Sequence, residues 1–129
     1  MIVGIGMDAV EITRFKRVAS YAPPTLRRIY SPEEIVYCLK EPAKSAERFA
    51  ARFAAKEALY KALHQAIPGL HLPLLTFFKQ VSLHCNPAPS FIINWQQLSI
   101  NSFQTFVTIT HSKKVALAQV IIQAARQKS

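Results

Sequence analysis

Acidic residues run out early in this chain. All seven carboxylates, Asp8, Glu11, Glu33, Glu34, Glu41, Glu47 and Glu57, lie in the first 57 residues, and residues 58–129 hold none. A carboxylate that binds a metal or moves a proton must come from this short set, unless another chain supplies it. Asp8 is the only aspartate. Cysteine is scarce too. Cys38 and Cys85 have no paired spacing, which argues against a disulfide framework and for free, buried thiols in a reducing compartment. No apolar run approaches the roughly 20 residues that cross a bilayer. The N-terminus reaches Asp8 and Glu11 with no basic segment before them, so no signal peptide is expected and a cytoplasmic location is. There is no internal repeat, low-complexity tract or linker, and residues 1–129 read as one domain with a real core.

What remains is basic and apolar. The formal net charge is +9 and half of the residues are hydrophobic. An excess of this size favours an acidic partner: nucleic acid, an anionic surface, a phosphorylated ligand or an acidic protein. The aromatic residues fall in apolar helix and strand patterns instead of alternating with basic ones, and no nucleic-acid motif is present, so no specific nucleic-acid partner is expected.

The pattern predicts an α+β fold, with helices on a mainly antiparallel sheet. Residues 2–7, "IVGIGM", read as a short buried strand that ends at Asp8. Residues 9–20 read as a helix broken by "APP" at 22–24, and "TLRRIY" as a helical turn. Ser31-Pro32-Glu33-Glu34 opens a helix, with Ser31 as N-cap and Glu34 completing a capping box. The main helix covers about 44–64, and "IPGLHLPLL" follows as a loop. Residues 77–85 and 90–95 read as strands around "NPAP", and 96–102 as an irregular or helical connector. "FQTFVTITH" alternates as a strand, with Val107, Ile109 and His111 on one face. "VALAQVIIQ" is apolar on both faces, as a central strand would be. The tail "AARQKS" reads as frayed.

The long central helix carries the most pointed pattern, "RFAARFAAKEALYKAL" at 48–63. At 100° per residue Phe49, Phe53 and Tyr60 form a core stripe, and Arg48, Arg52 and Lys56 spread along one flank. Glu57 and Lys61 share the other flank. Beyond them lies a wide alanine face, which admits a close neighbour: a backbone or a ligand. Two readings of Glu57 and Lys61 stay open, a helix ion pair or a binding site. Asp8 likewise is a helix cap or a ligand. Two carboxylates meeting from a strand and a helix would suit magnesium, which usually takes one or two protein carboxylates plus phosphate oxygens. His111 is either a rim residue or part of the same set.

Three segments occur in order over nearly the whole chain: "GIGMDAVEITR" (4–14), "RFAARFAAKEALYKA" (48–62) and "VTITHSKKVALAQVII" (107–122). Together they resemble the holo-acyl-carrier-protein synthases, small 4′-phosphopantetheinyl transferases. The resemblance implies the family fold and makes Asp8 and Glu57 the ligands of a Mg2+ ion. It implies that Lys61 meets the coenzyme A phosphates, and that Arg52 and His111 lie near its nucleotide end. Asp8, Glu57 and Lys61 are then the catalytic set. Arg14 and Arg28 match basic positions that dock acyl carrier protein, with Lys16, Arg17 and Arg27 assigned as basic neighbours by position. Glu57 among alanines is read as leaving room for a bulky metal–pyrophosphate complex. The implied reaction transfers phosphopantetheine from coenzyme A to a serine of apo-acyl carrier protein, releasing adenosine 3′,5′-bisphosphate, for fatty acid biosynthesis. The group that accepts the serine proton is left open between Glu57, a metal-bound water and an unmatched residue. The family is trimeric, with sites between subunits, so a homotrimer is implied. Two departures stand out: His64 and Ala66 replace glycines of the family's turn after "KA", and "NPAP" replaces its usual hairpin turn. A basic nucleic-acid module and an inactive carrier-binding scaffold are the rival readings.

Overall fold

The computed structural model describes residues 1–125. The elements run β1 (Ile2–Glu11), α1 (Pro23–Leu26), α2 (Pro32–Leu39), α3 (Ser45–Ala66), α4 (Leu74–Lys79), β2 (Val81–His84), β3 (Ser90–Ile93), α5 (Trp95–Leu98), β4 (Phe103–His111) and β5 (Val115–Ala124). Three strands form an antiparallel sheet in the order β1-β5-β4, and β2-β3 is a separate antiparallel hairpin. The α+β reading holds, and β5 is the central strand. The tail expected from residue 124 is part strand, since Ala124 closes β5; residues 126–129 lie outside the described part.

The sheet lies on α3. Ala116, Ala118, Val120 and Ile122 of β5 are fully buried, as are Ala50, Ala54, Ala55, Ala58 and Ala62 of the helix. The alanine face therefore receives the sheet, the backbone neighbour among the two it could admit. Contact is tightest at β1. A Cβ on Gly4 would fall 2.3 Å from the Ala62 carbonyl oxygen, and one on Gly6 would fall 1.8 Å from that of Ala58. Side chains alternate along a strand, so Gly4, Gly6, Asp8 and Val10 all face the helix.

β1 is longer than its apolar run. It continues through Asp8 to Glu11 because β5 supplies backbone partners up to the Glu11–Val115 pair. The helix expected over 9–20 is absent. Two 3₁₀ turns, Ile12–Phe15 and Val18–Ser20, take its place. Ile12, Phe15 and Val18 are the buried positions, and a spacing of three suits that tighter helix. Pro23 and Pro24 open α1 instead of breaking a helix. The apolar 77–85 segment also divides, with Phe77 and Phe78 buried at the end of α4 and pairing with β3 starting at Val81.

The capping box at Ser31 forms as read, with Glu34 Oε1 accepting from Ser31 N at 2.8 Å. Glu34 then does more. Oε1 also accepts from Lys56 Nζ at 2.5 Å, and Oε2 from the Leu83 amide at 3.2 Å. Lys56 donates to the Ile29 carbonyl at 2.8 Å. Both side chains are fully buried. Burial pushes the Lys56 ammonium down from its usual range, and Glu34 opposes that effect. One ion pair thus ties α2, α3 and β2 together. Removing one partner of such a pair leaves a buried charge, at a typical loss of about 3–5 kcal/mol. Lys56→Met should lose stability on that scale in urea titrations, and Glu34→Gln/Lys56→Met should recover part of it. A single variant as stable as the parent would mean the pair does not hold these elements.

Candidate functional site

Asp8 leaves β1 on the helix side, two residues beyond Gly6, and reaches the flank of α3. Lys61 Nζ donates to Asp8 Oδ1 at 3.1 Å and to the Met7 carbonyl at 3.1 Å. The lysine is half exposed, while the Asp8 side chain retains 16% of its accessible surface. Lys61 therefore pairs across to the strand and not with Glu57, because the Met7 carbonyl and the Asp8 carboxylate offer it two acceptors together. Glu57, half-buried one helical turn away, has no hydrogen-bond or ion-pair partner among the described residues. Its carboxyl is raised above the usual range, first by loss of solvent and then by the negative charge of Asp8, with Lys61 pulling the other way. Two carboxylates thus stand near one ammonium, which pairs with Asp8 alone. Among the described residues no three His, Cys, Asp or Glu side chains group as metal ligands, so a cation here would take two carboxylates from this chain.

A second cluster lies nearer the N-terminal end of α3. A cleft of about 290 Å³ is lined by Lys44, Glu47, Arg48, Arg52, Cys85 and His111, among others. His111 Nε2–H donates to Glu47 Oε1 at 2.8 Å. Arg52 is only 4% exposed. Its Nη1 donates to the Arg48 carbonyl at 3.5 Å and its Nη2 to Cys85 Sγ at 3.6 Å. Arg48 and Arg52 both lie over the Tyr37 ring, 4.3 and 4.4 Å from its centre. The structure thus brings Arg52 and His111 to one cleft. Lys61 does not line it and sits nine residues on from Arg52, about 13 Å along the helix axis.

The third group is a surface. Arg14, Lys16, Arg17, Arg27 and Arg28 are all exposed on the 3₁₀ turns, at the end of α1 and in the linking segments. None takes part in an ion pair among the described residues.

Sequence reasoning missed several members. Glu47 and Tyr37 had no role assigned, although both line the cleft with Arg48 and Arg52. Cys85 is exposed, against the expectation of two buried thiols; only Cys38 is buried. The reason is local, since Cys85 follows β2 directly and leaves the hairpin core. At the departure from the family's glycines, α3 continues through His64 to Ala66, and His64 packs on Tyr60 with ring centres 4.2 Å apart.

Residues 4–122 match the model of the 4′-phosphopantetheinyl transferase superfamily. No curated protein sequence matches the chain. Solved structures do. A holo-(acyl-carrier-protein) synthase from Bacillus anthracis, in complex with CoA (3′,5′-ADP), is 27% identical with a TM-score of 0.75, over 97% of this chain and 99% of that one. The ACPS–CoA complex from Chronobacterium ammoniagenes is 27% identical with a TM-score of 0.78, over 95% and 97%. The holo-[acyl-carrier-protein] synthase of Helicobacter pylori, in complex with coenzyme A, is 29% identical with a TM-score of 0.70, over 92% and 99%. The match extends over both the Asp8–Glu57–Lys61 cluster and the Arg52–His111 cleft, and the chain belongs to the 4′-phosphopantetheinyl transferase superfamily, as an enzyme of the holo-acyl-carrier-protein synthase kind.

Proposed function

We propose that this chain transfers 4′-phosphopantetheine from coenzyme A to a serine of apo-acyl carrier protein, with magnesium held by Asp8 and Glu57. The product supports fatty acid biosynthesis in the cytoplasm, and the other product is adenosine 3′,5′-bisphosphate. The observation that carries this reading is the convergence of Asp8, Glu57 and Lys61 on one flank of α3. Two carboxylates with only one nearby ammonium fit a hard divalent cation, and magnesium commonly keeps waters and phosphate oxygens as its other ligands. Bound there, the ion would offset charge on the pyrophosphate. Lys61 is free to turn its ammonium from Asp8 to a phosphate oxygen, since an exposed pair of this kind is worth only about 0–1 kcal/mol. Arg52 and His111 are the groups for the nucleotide end, with Glu47 fixing the imidazole. Such a transfer is mainly positioning and charge neutralisation.

The exposed arginines suit the acidic carrier protein. The homotrimer implied by the resemblance has support in the outer sheet face. Ile5, Ile121 and Phe106 stand in one cross-strand row, with Ile5 and Phe106 each 49% exposed. Sedimentation velocity counts the copies. No helix among the described residues is long and apolar enough to cross a membrane.

Asp8→Asn or Glu57→Gln should lower magnesium-dependent transfer by about a hundredfold or more, with folding intact. The raised Glu57 carboxyl also sets the pH response. Metal binding needs the carboxylate, so affinity should fall on acidification from a higher pH than an ordinary glutamate would give. In metal-free protein Asp8→Asn should bring the Glu57 titration down, as read by carboxyl NMR. Normal turnover in either variant would remove the site.

The carrier surface has its own test. Arg14→Ala/Arg28→Ala should raise the apparent KM for acyl carrier protein about five- to tenfold and leave that for coenzyme A nearly unchanged. The salt dependence of carrier binding should flatten in the same variant. Nucleic acid binding more tightly than the carrier at physiological salt would favour the basic-module reading instead.

A further inference from the structure

Cys85 is a nucleophile that the transfer reaction does not use. It is exposed, and its sulfur accepts from Arg52 Nη2 at 3.6 Å. Arg52 is 4% exposed, and its Nε is the one buried side-chain nitrogen or oxygen among the described residues without a hydrogen-bond partner. This guanidinium lines both the 290 Å³ cleft and a neighbouring cavity of about 410 Å³, and Cys85 stands on the wall the two share. Arg48 adds a second guanidinium, on the same Tyr37 ring and in the same cleft. An open thiol beside a buried guanidinium with an unmet N–H favours reagents that carry an anion close to an electrophilic sulfur.

We propose that Cys85 is a modification site for small anionic disulfides, and that Arg52 and Arg48 hold the anionic group of the adduct. The Cys85 thiol gives its proton to solvent, and Sγ attacks one sulfur of the disulfide. The S–S bond of the reagent breaks, an Sγ–S bond forms, and the second sulfur leaves as a thiolate. Added thiol reverses the exchange. The adduct occupies the cleft shared by Arg52 and His111. That it displaces a nucleotide rests on the transferase reading; the sulfur exchange does not. Cys38 takes no part, since it is fully buried and burial pushes its thiol up to about 12.

Dithiobis(nitrobenzoate), an anionic disulfide, is the probe. Native protein should release one equivalent of thionitrobenzoate per chain, denatured protein two, and native Cys85→Ser none. Neutral dithiodipyridine provides the comparison, with both rates normalised to those of mercaptoethanol. The anionic reagent should be favoured about tenfold on the native protein, and Arg48→Ala should remove most of that preference. Saturating adenosine 3′,5′-bisphosphate should slow the labelling. Equal normalised rates for the two reagents, or no reactive thiol in the native protein, would overturn the proposal. If Cys85 reacts with the expected preference but the unmodified protein binds no adenosine bisphosphate in calorimetry, the nucleotide assignment fails and the modification site stands.

Discussion

No side chain separates β1 from α3 at Gly4 and Gly6, where the strand backbone meets the carbonyl oxygens of Ala62 and Ala58. Everything at the Asp8–Glu57–Lys61 cluster follows from that approach. Any β-carbon at Gly6 would collide with helix backbone, which cannot yield as a side-chain tip can. With the strand seated this low, the next helix-facing position, Asp8, reaches the Glu57–Lys61 flank. The alanines on the helix are the other half of the same contact. They are small because a strand lies on them, and Asp8, Glu57 and Lys61 stand at the edge of that contact.

The scarcity of carboxylates becomes informative once their partners are known. Glu34 is consumed by Lys56 inside the core. Glu41 meets Arg48 and Lys44 at the start of α3, and the Arg48 hydrogen bond holds its carboxyl below the usual range. Glu47 is taken by His111. Asp8 and Glu57 are the two that come together with too little positive charge between them. In a chain with a net charge of +9, this local negative excess on the helix flank is what the proposed cation site rests on. The exposed arginines on the 3₁₀ turns stand apart from it and keep their charge available to an acidic partner.

Much of this was legible in the residues. The capping box at Ser31, the long helix, the 81–93 hairpin and the central position of β5 all carry local signals: a cap, an uninterrupted helical composition, a proline-rich turn, an apolar run. Where the reading failed, tertiary contact had decided. Asp8 looks like a strand end by polarity, but β5 keeps pairing past it to Glu11. Ile12, Phe15 and Val18 look helical, and their burial at a spacing of three draws the chain into 3₁₀ turns instead. Glu57 and Lys61 have ideal spacing for an ion pair along the helix, and the lysine turns to Met7 and Asp8 because a strand fifty residues away in sequence supplies two acceptors. The Glu34–Lys56 pair carries no signal beyond two charges in separate segments, and only the fold brings them together.

In the proposed function, the β1–α3 contact builds a divalent-cation site from Asp8 and Glu57. Paramagnetic broadening tests it without relying on turnover. With Mn2+ added at substoichiometric amounts in the presence of coenzyme A, amide signals around Asp8 in β1 and around Glu57 and Lys61 in α3 should broaden first. Those near Glu33 and Glu41 should stay sharp, and Asp8→Asn should abolish the selective effect. Broadening centred on Glu33, Glu41 or Glu47, or an unchanged pattern in Asp8→Asn, would contradict the account.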